Sequence, residues 1–295
     1  MAVTSPAPVA PAVPSGARPR RRTAGPSRPA PRTATAVITL SLIAAAFAIP
    51  LISMLEFSLR TADGHGLDHW IALFSPETAG RYSVIWTGLG NSLILALVTV
   101  AIVLLLLAPT MLLVTLRFPR LRRTMELLCL LPLSLPAIVL VVGLVPIYLG
   151  IGRSLGTGAW TLAFAYGVTV IPYAYRAIQS NIDAVDVVTL SEAARTLGAG
   201  WLSVVLRVLV PNLRRGLLAA CLISVAVVLG EFTIASLLNR STLQTALFVV
   251  NKQDPYAAVI LSLLSLAFAY VLLVLIGRVG GPRRGPRRRR DRATS

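Results

Sequence analysis

The chain has 295 residues, a length that would suit one or two soluble domains. Its 56% hydrophobic content, mean hydropathy of +0.77 and 13% charged residues exclude an ordinary soluble globule and indicate a polytopic membrane protein. The formal net charge of +17 does not indicate a nucleic-acid binder, because the basic residues lie in tails and turns with no aromatic-interleaved basic fold.

Residues 1–32 hold six arginines and eight of the 20 prolines. Such a segment cannot bury enough apolar surface to fold, so it reads as a disordered, basic cytoplasmic tail. The apolar run 33–55 is longer than the roughly 7–15 residues of a signal-peptide core and is long enough to span. It reads as a retained first helix with Pro50 near its outer end. The segment 56–89 is polar and carries Asp63, His65, Asp68 and His69. Two histidines four apart beside carboxylates permit a metal site. Gly64 and Gly66 weaken the helix that this spacing requires, and a solvated external loop is the simpler reading.

The second span is expected over 91–116, with Pro109 bending it. Arg117, Arg120, Arg122 and Arg123 then form a basic turn. The third span, 125–149, contains Pro132, Pro136 and Pro146. Three prolines imply a broken or kinked helix that lines protein or a cavity. Glycines at 150, 152, 156 and 158 flank a short external loop. No strand precedes them, so they mark a turn and not a nucleotide-binding loop. The fourth span is expected over 160–179, the fifth over 217–238 with Glu231 inside it, and the sixth over 257–276. A basic tail, 278–295, closes the chain. Cys129 and Cys221 fall inside predicted spans and read as core packing.

Between the fourth and fifth spans lies a polar stretch, 189–211. Thr189 and Glu192 have capping-box spacing, which predicts a helix starting at Thr189. Glu192, Ala193, Ala194, Arg195 and Leu197 favour helix. Gly198 and Gly200 permit a sharp turn. A second helix follows over 201–210, interrupted by Arg207 and limited by Pro211. The stretch is therefore a helical elbow.

This elbow resembles the EAA loop of binding-protein-dependent ABC importer permeases. Glu192, Ala193, Ala194, Gly198 and Pro211 stand in the family's register, with Val208 and Val210 replacing Ile and Leu. Several fixed positions over about twenty residues make a specific signal. Leu67-Asp68-His69-Trp70, Asn91-Ser92-Leu93, and Pro132 with Pro136 are similar to the family's segments at those places. The resemblance covers about 91–278. It implies an all-α, six-span type I importer permease domain over 33–277, with its core over about 91–277. It also implies partners: two ATP-binding subunits, a second permease subunit (identical or sister) and an extracytoplasmic solute-binding protein. The elbow is then the coupling segment that seats in a cleft of the ATPase. Ala193 and Ala194 keep it thin, Gly198 sets its angle, and Arg195 and Arg207 are candidate rim charges.

Charge placement gives the orientation. The elbow's side carries 23 of the 28 Lys and Arg residues and the opposite side five. Without the tails, the 117–123 turn and the elbow still hold nine against those five. Both termini and the elbow are thus expected on the cytoplasmic side of the cell (inner) membrane, with the tails able to rest on anionic lipid.

The only lysine is Lys252, preceded by Asn251, so no phosphate-binding P-loop exists in the chain. No zinc-protease, nucleophile-elbow or CxxC pattern occurs either. The expectation is a transporter subunit with no catalytic residue, metal or cofactor of its own, driven by a separate ATPase. Glu231 is either a pathway carboxylate or a residue near the outer interface. Gly230-Glu231-Phe232, Ser236-Leu237-Leu238 and 242–246 resemble the fifth-span region of spermidine/putrescine-type permeases. A polyamine-like solute is the expected cargo, with sulfate, ferric iron and phosphonate as alternatives. A secondary transporter that needs no ATPase is the rival class. It would show inverted repeats or several intramembrane charges, and neither is evident.

Overall fold

The computed structural model describes residues 33–61, 64–76, 80 and 82–280. The tail 1–32, Asp63 and the arginines after Arg278 lie outside the described residues. The chain divides into two units, 1–50 and 51–295. The described part of the first unit is the beginning of α1 (Thr33–Ser58), an apolar helix whose described side chains up to Pro50 are nearly all exposed. Exposed apolar surface of this kind is what a lipid-facing span requires.

In the second unit, α1 ends and a two-residue hairpin follows, β1 (Arg60–Thr61) against β2 (Gly64–His65). A short helix, α2 (Asp68–Leu73), comes next. His69 stacks on Tyr256 at 4.1 Å and Phe57 stacks on Tyr256 at 4.8 Å. His65 instead meets Glu56 at 3.3 Å. The two histidines thus sit on different elements, and among the described residues no three metal-ligating side chains come together.

The second span is longer than expected. α3 (Ser83–Ile102) passes through a π-helical turn (Val103–Leu107) into α4 (Ala108–Arg117), giving one helix of 35 residues. Pro109 lies just after the π turn. Proline lacks an N–H and its ring would strike the carbonyl four residues back, on Leu105. Leu105 sits in the widened turn, which supplies the needed room. The third span is broken as its prolines imply. α5 (Arg122–Leu130) ends in a 3₁₀ turn (Leu131–Ser134), and Pro136 caps the start of α6 (Ala137–Ser154).

α7 (Ala163–Val185) is the central helix. It is about 34 Å long at 1.5 Å per residue, enough to cross the hydrocarbon. Among the described residues, five other helices are long and apolar enough to span by composition. α7 carries several Tyr, an Arg, a Gln and an Asn, and is less apolar because its neighbours, not lipid, cover much of it. After the elbow, α10 (Val210–Gly230) packs along α7. Gly216 permits that approach: a Cβ there would stand 2.6 Å from the Asn181 Cβ, and its N–H donates to Asn181 Oδ1 at 3.2 Å. The chain finishes with α11 (Thr233–Leu237), α12 (Leu243–Gln253) and the sixth span, α13 (Pro255–Gly280).

Among the described residues the core has three clusters. One, near the elbow, holds Met111, Ile178, Leu209 and Leu213. A middle one holds Leu95, Tyr166 and Val228. The third, around Ile85, Leu247 and Ile260, joins α3, α12 and α13 at the opposite end. Buried Thr99 and Ser224 return their hydroxyls to carbonyls of their own helices, which satisfies them without water. Asn91 Nδ2 donates to Ser241 O at 2.8 Å, and Leu243 N donates to Ser92 Oγ at 2.9 Å. Asn91 and Ser92 therefore sit mid-helix and tie α3 to α12 rather than opening a span.

Candidate functional site

The elbow begins one turn earlier than the capping-box spacing predicts. α8 (Val187–Thr196) is capped by Asp186, which adopts left-handed backbone (φ +49°) and accepts from Thr189 N at 3.3 Å. Thr189 Oγ1 also donates to Asp186 Oδ2 at 2.8 Å. Thr189 is thus the residue being capped, and Glu192 lies on the exposed face of the helix. A non-glycine residue in left-handed conformation carries no strong sequence signal, although Asp is among the residues that tolerate it.

Helical period sorts the faces of α8. Val187, Ser191 and Ala194 point inward, with Ala194 packed against the core cluster. Val188, Glu192, Ala193, Arg195 and Thr196 are exposed. The helix closes with Gly198 N donating to Arg195 O at 2.9 Å and Ala199 N donating to Ala194 O at 3.1 Å. These two bonds form a Schellman cap, and Gly198 takes the left-handed position at φ +83°. Gly200 is extended, not left-handed.

The second arm is not limited by Pro211. α9 (Trp201–Ser203), a π turn (Val204–Leu209) and α10 form one helix of 30 residues. Arg207, whose carbonyl the Pro211 ring would meet, lies in the π turn, repeating the arrangement at Pro109. Pro211 is exposed near the start of α10. The elbow's second arm and the fifth span are therefore the same rod, roughly 45 Å long.

Apolar side chains crowd the elbow's tip. Leu197 is 88% exposed, Leu202 69% and Trp201 44%. In the sequence Leu197 reads only as a helix former. Its place beside the turn, outside the helix's inward face, is the signal that marks it as exposed. A cavity of about 410 Å³ beside the tip is lined by Leu113, Arg117, Arg195, Ala199, Gly200 and Trp201. Arg122 Nη2 donates to Asp183 Oδ1 at 2.7 Å, so the basic 117–123 turn and the elbow share one end of the bundle. Exposed apolar anchors within a charged rim are what a helix-in-groove contact uses.

Glu231 is not inside a helix. α10 ends at Gly230, and Glu231 has extended backbone. Both its carboxylate oxygens accept from Ile234 N, at 3.0 and 3.1 Å, which caps α11. The buried Tyr166 hydroxyl lies close to this carboxylate. The elbow residues and Glu231 stand at opposite ends of the rod.

A family model described as binding-protein-dependent transport system inner membrane component matches residues 111–289. That range takes in the elbow, Glu231 and the last two spans. Comparison with curated proteins gave no match.

Proposed function

The chain belongs to the binding-protein-dependent transport system inner membrane components, and on that premise we propose that it forms one half of the membrane pore of an ATP-driven importer. It is a multi-pass permease subunit that works with ATP-binding and solute-binding partners. In the proposed assembly, two permease chains, identical or sister, meet two ATPases. The 187–200 elbow seats in a cleft of each ATPase, with Glu192, Ala193 and Arg195 on the exposed face, Ala194 packed beneath them against the core, and Gly198 at the bend. ATP-driven closure draws the two elbows together and switches the cavity from inward to outward access. The observation that carries this reading is the elbow's geometry: a thin exposed helix, an apolar tip, and a direct helical link to a span.

The tip supplies the test. Leu197→Asp places a charge where an apolar anchor would be desolvated, at a cost typical of an interface hot spot, about 2 kcal/mol or more. Leu197 is exposed, so the chain should fold and insert normally. The expected result is loss of ATPase co-purification at normal membrane levels. Normal co-purification with full uptake would remove the elbow from the coupling role.

Orientation has its own test. Thr196 and Thr157 are both exposed and lie at opposite ends of the bundle. A cysteine at Thr157 should react with an impermeant thiol reagent in intact cells, and one at Thr196 should not. Labelling at Thr196 in intact cells would invert the topology.

The cargo is a small solute. A polyamine is supported by the likeness of 230–246 to spermidine/putrescine-type permeases and by the presence of Glu231. The oxyanion alternatives draw support from a different place, the cavity beside Arg240.

A further inference from the structure

We propose that the cavity beside Arg240, at the end of the bundle away from the elbow, is an anion subsite that takes a small oxyanion of the phosphate or sulfate type. Its place on a transport route rests on the importer reading above; its chemistry does not.

The backbone there is pinned. After α11, Asn239 adopts left-handed conformation (φ +51°), with Asn239 N donating to Ser236 O at 3.1 Å and Arg240 N donating to Ala235 O at 2.8 Å. This is the same Schellman cap that Gly198 forms at the elbow. Arg240 O then accepts from Thr245 Oγ1 at 3.1 Å, within the capping box that starts α12. Arg240 is thus held between two caps.

The cavity is about 300 Å³, the low end for ligand pockets. Ser236, Asn239, Arg240 and Ser241 supply its polar wall, with Phe232 and Phe248 on the apolar side. The side chains of Ser236, Asn239 and Ser241 make no hydrogen bond among the described residues, so all three are available as donors. Arg240 Nε is buried with no hydrogen-bond partner, and Arg240 has no ion pair among the described residues. A partly buried guanidinium without a counter-charge is costly, and an anion entering the cavity would supply one. Its planar fork suits two oxygens of an oxyanion.

The sign of the surroundings agrees. A second cavity of about 270 Å³ shares Phe232 and Phe248 with the first. Neither cavity has an aspartate or glutamate in its wall. Lys252 lines neither cavity, but its Nζ stands 4.5 Å from the ring centre of Phe248, which lines both. Glu231 lines neither cavity, and its carboxylate is engaged by Ile234 N. A cation would find one positive side chain in the walls, Arg240, and no negative one.

The test uses the full chain in phosphatidylcholine nanodiscs, without an ATPase, titrated with inorganic phosphate at constant ionic strength. Phosphate should raise the thermal midpoint saturably, and spermidine should not. Arg240→Gln should weaken phosphate binding about tenfold or more, the loss expected when a charged hydrogen-bond partner is removed. Arg240→Lys should keep part of it. If Arg240→Gln does not fold, the Ser236→Ala, Ser241→Ala double variant decides, with a severalfold loss expected. Phosphatidylglycerol discs separate the two sources of an anionic group. Unchanged phosphate affinity there means a solvent-borne anion. Competition that Arg240→Gln abolishes means that a lipid headgroup occupies the same site. Equal phosphate response in wild type and variants, no response at all, or a response to spermidine alone would overturn the subsite. None of those results would touch the coupling role of the elbow.

Discussion

Gly198→Val is expected to abolish uptake while leaving the chain in the membrane at normal levels. Gly198 adopts φ +83°, where a β-branched residue is strained. A Cβ at this position would meet nothing within 4 Å. The penalty is therefore torsional alone, of the order of 1–2 kcal/mol. That is small against the packing of six spans, so insertion should survive. The turn relieves the strain by leaving the left-handed region, which breaks the bonds to Arg195 O and Ala194 O and re-aims α8. A displacement of even about 1 Å spoils a positioned contact. Gly198→Asn is the discriminating control, because Asn tolerates this backbone and Asn239 occupies the same cap position elsewhere in the chain. Uptake and ATPase co-purification should be near wild type for Asn and lost for Val. Full transport with normal ATPase retention in Gly198→Val would refute the coupling assignment.

Gly216 should fail differently, by loss of the fold. Here φ is ordinary and space is the constraint. A Cβ would stand 2.6 Å from Asn181 Cβ and 3.0 Å from Ala177 O, both on the central helix α7. Backbone cannot yield as a flexible side-chain tip can. Gly216→Ala should cost about 1–3 kcal/mol through overpacking, exceeding the roughly 1 kcal/mol that Ala gains over Gly in a helix. Gly216→Val should give little monodisperse protein in detergent. Gly143→Ala is the opposite case: Gly143 lies within α6 with open space around its Cβ. Its thermal midpoint should hold or rise. A normal midpoint for Gly216→Ala would mean that α7 and α10 pack less closely than the structure places them.

Much of the fold is legible in the sequence because hydropathy and proline placement report on separate physical needs. Apolar runs place five of the spans, and Pro132 with Pro136 marks the broken third one. The misplacements have specific causes. Arg207, Arg214 and Arg215 interrupt the hydropathy before the fifth span without interrupting the helix, so one rod reads as two pieces. Pro109 and Pro211 read as a bend and a stop. A π turn ahead of each one absorbs the ring, and no residue type announces such a turn. Glu231 reads as intramembrane because the apolar run continues through Leu238. A backbone break between two apolar stretches leaves hydropathy unchanged. At the elbow, Gly198 is readable because its conformation excludes nearly every other residue. Asp186 is not, since its role depends on a conformation that its identity merely permits.

The unbroken helix from Trp201 to Gly230 sets a phase as well as a distance. Each residue in an α-helix advances the azimuth by about 100°. Deleting one residue between the elbow's turn and α11 would therefore rotate Phe232, Arg240 and their cavities by that angle relative to Leu197, while shifting them along the axis by only about 1.5 Å. The π turn at Val204–Leu209 winds more slowly than an α-helix and so contributes its own fixed offset to that angle. The count of residues in this rod thus works like the keyway on a shaft. It fixes which way the far end faces when the near end is gripped.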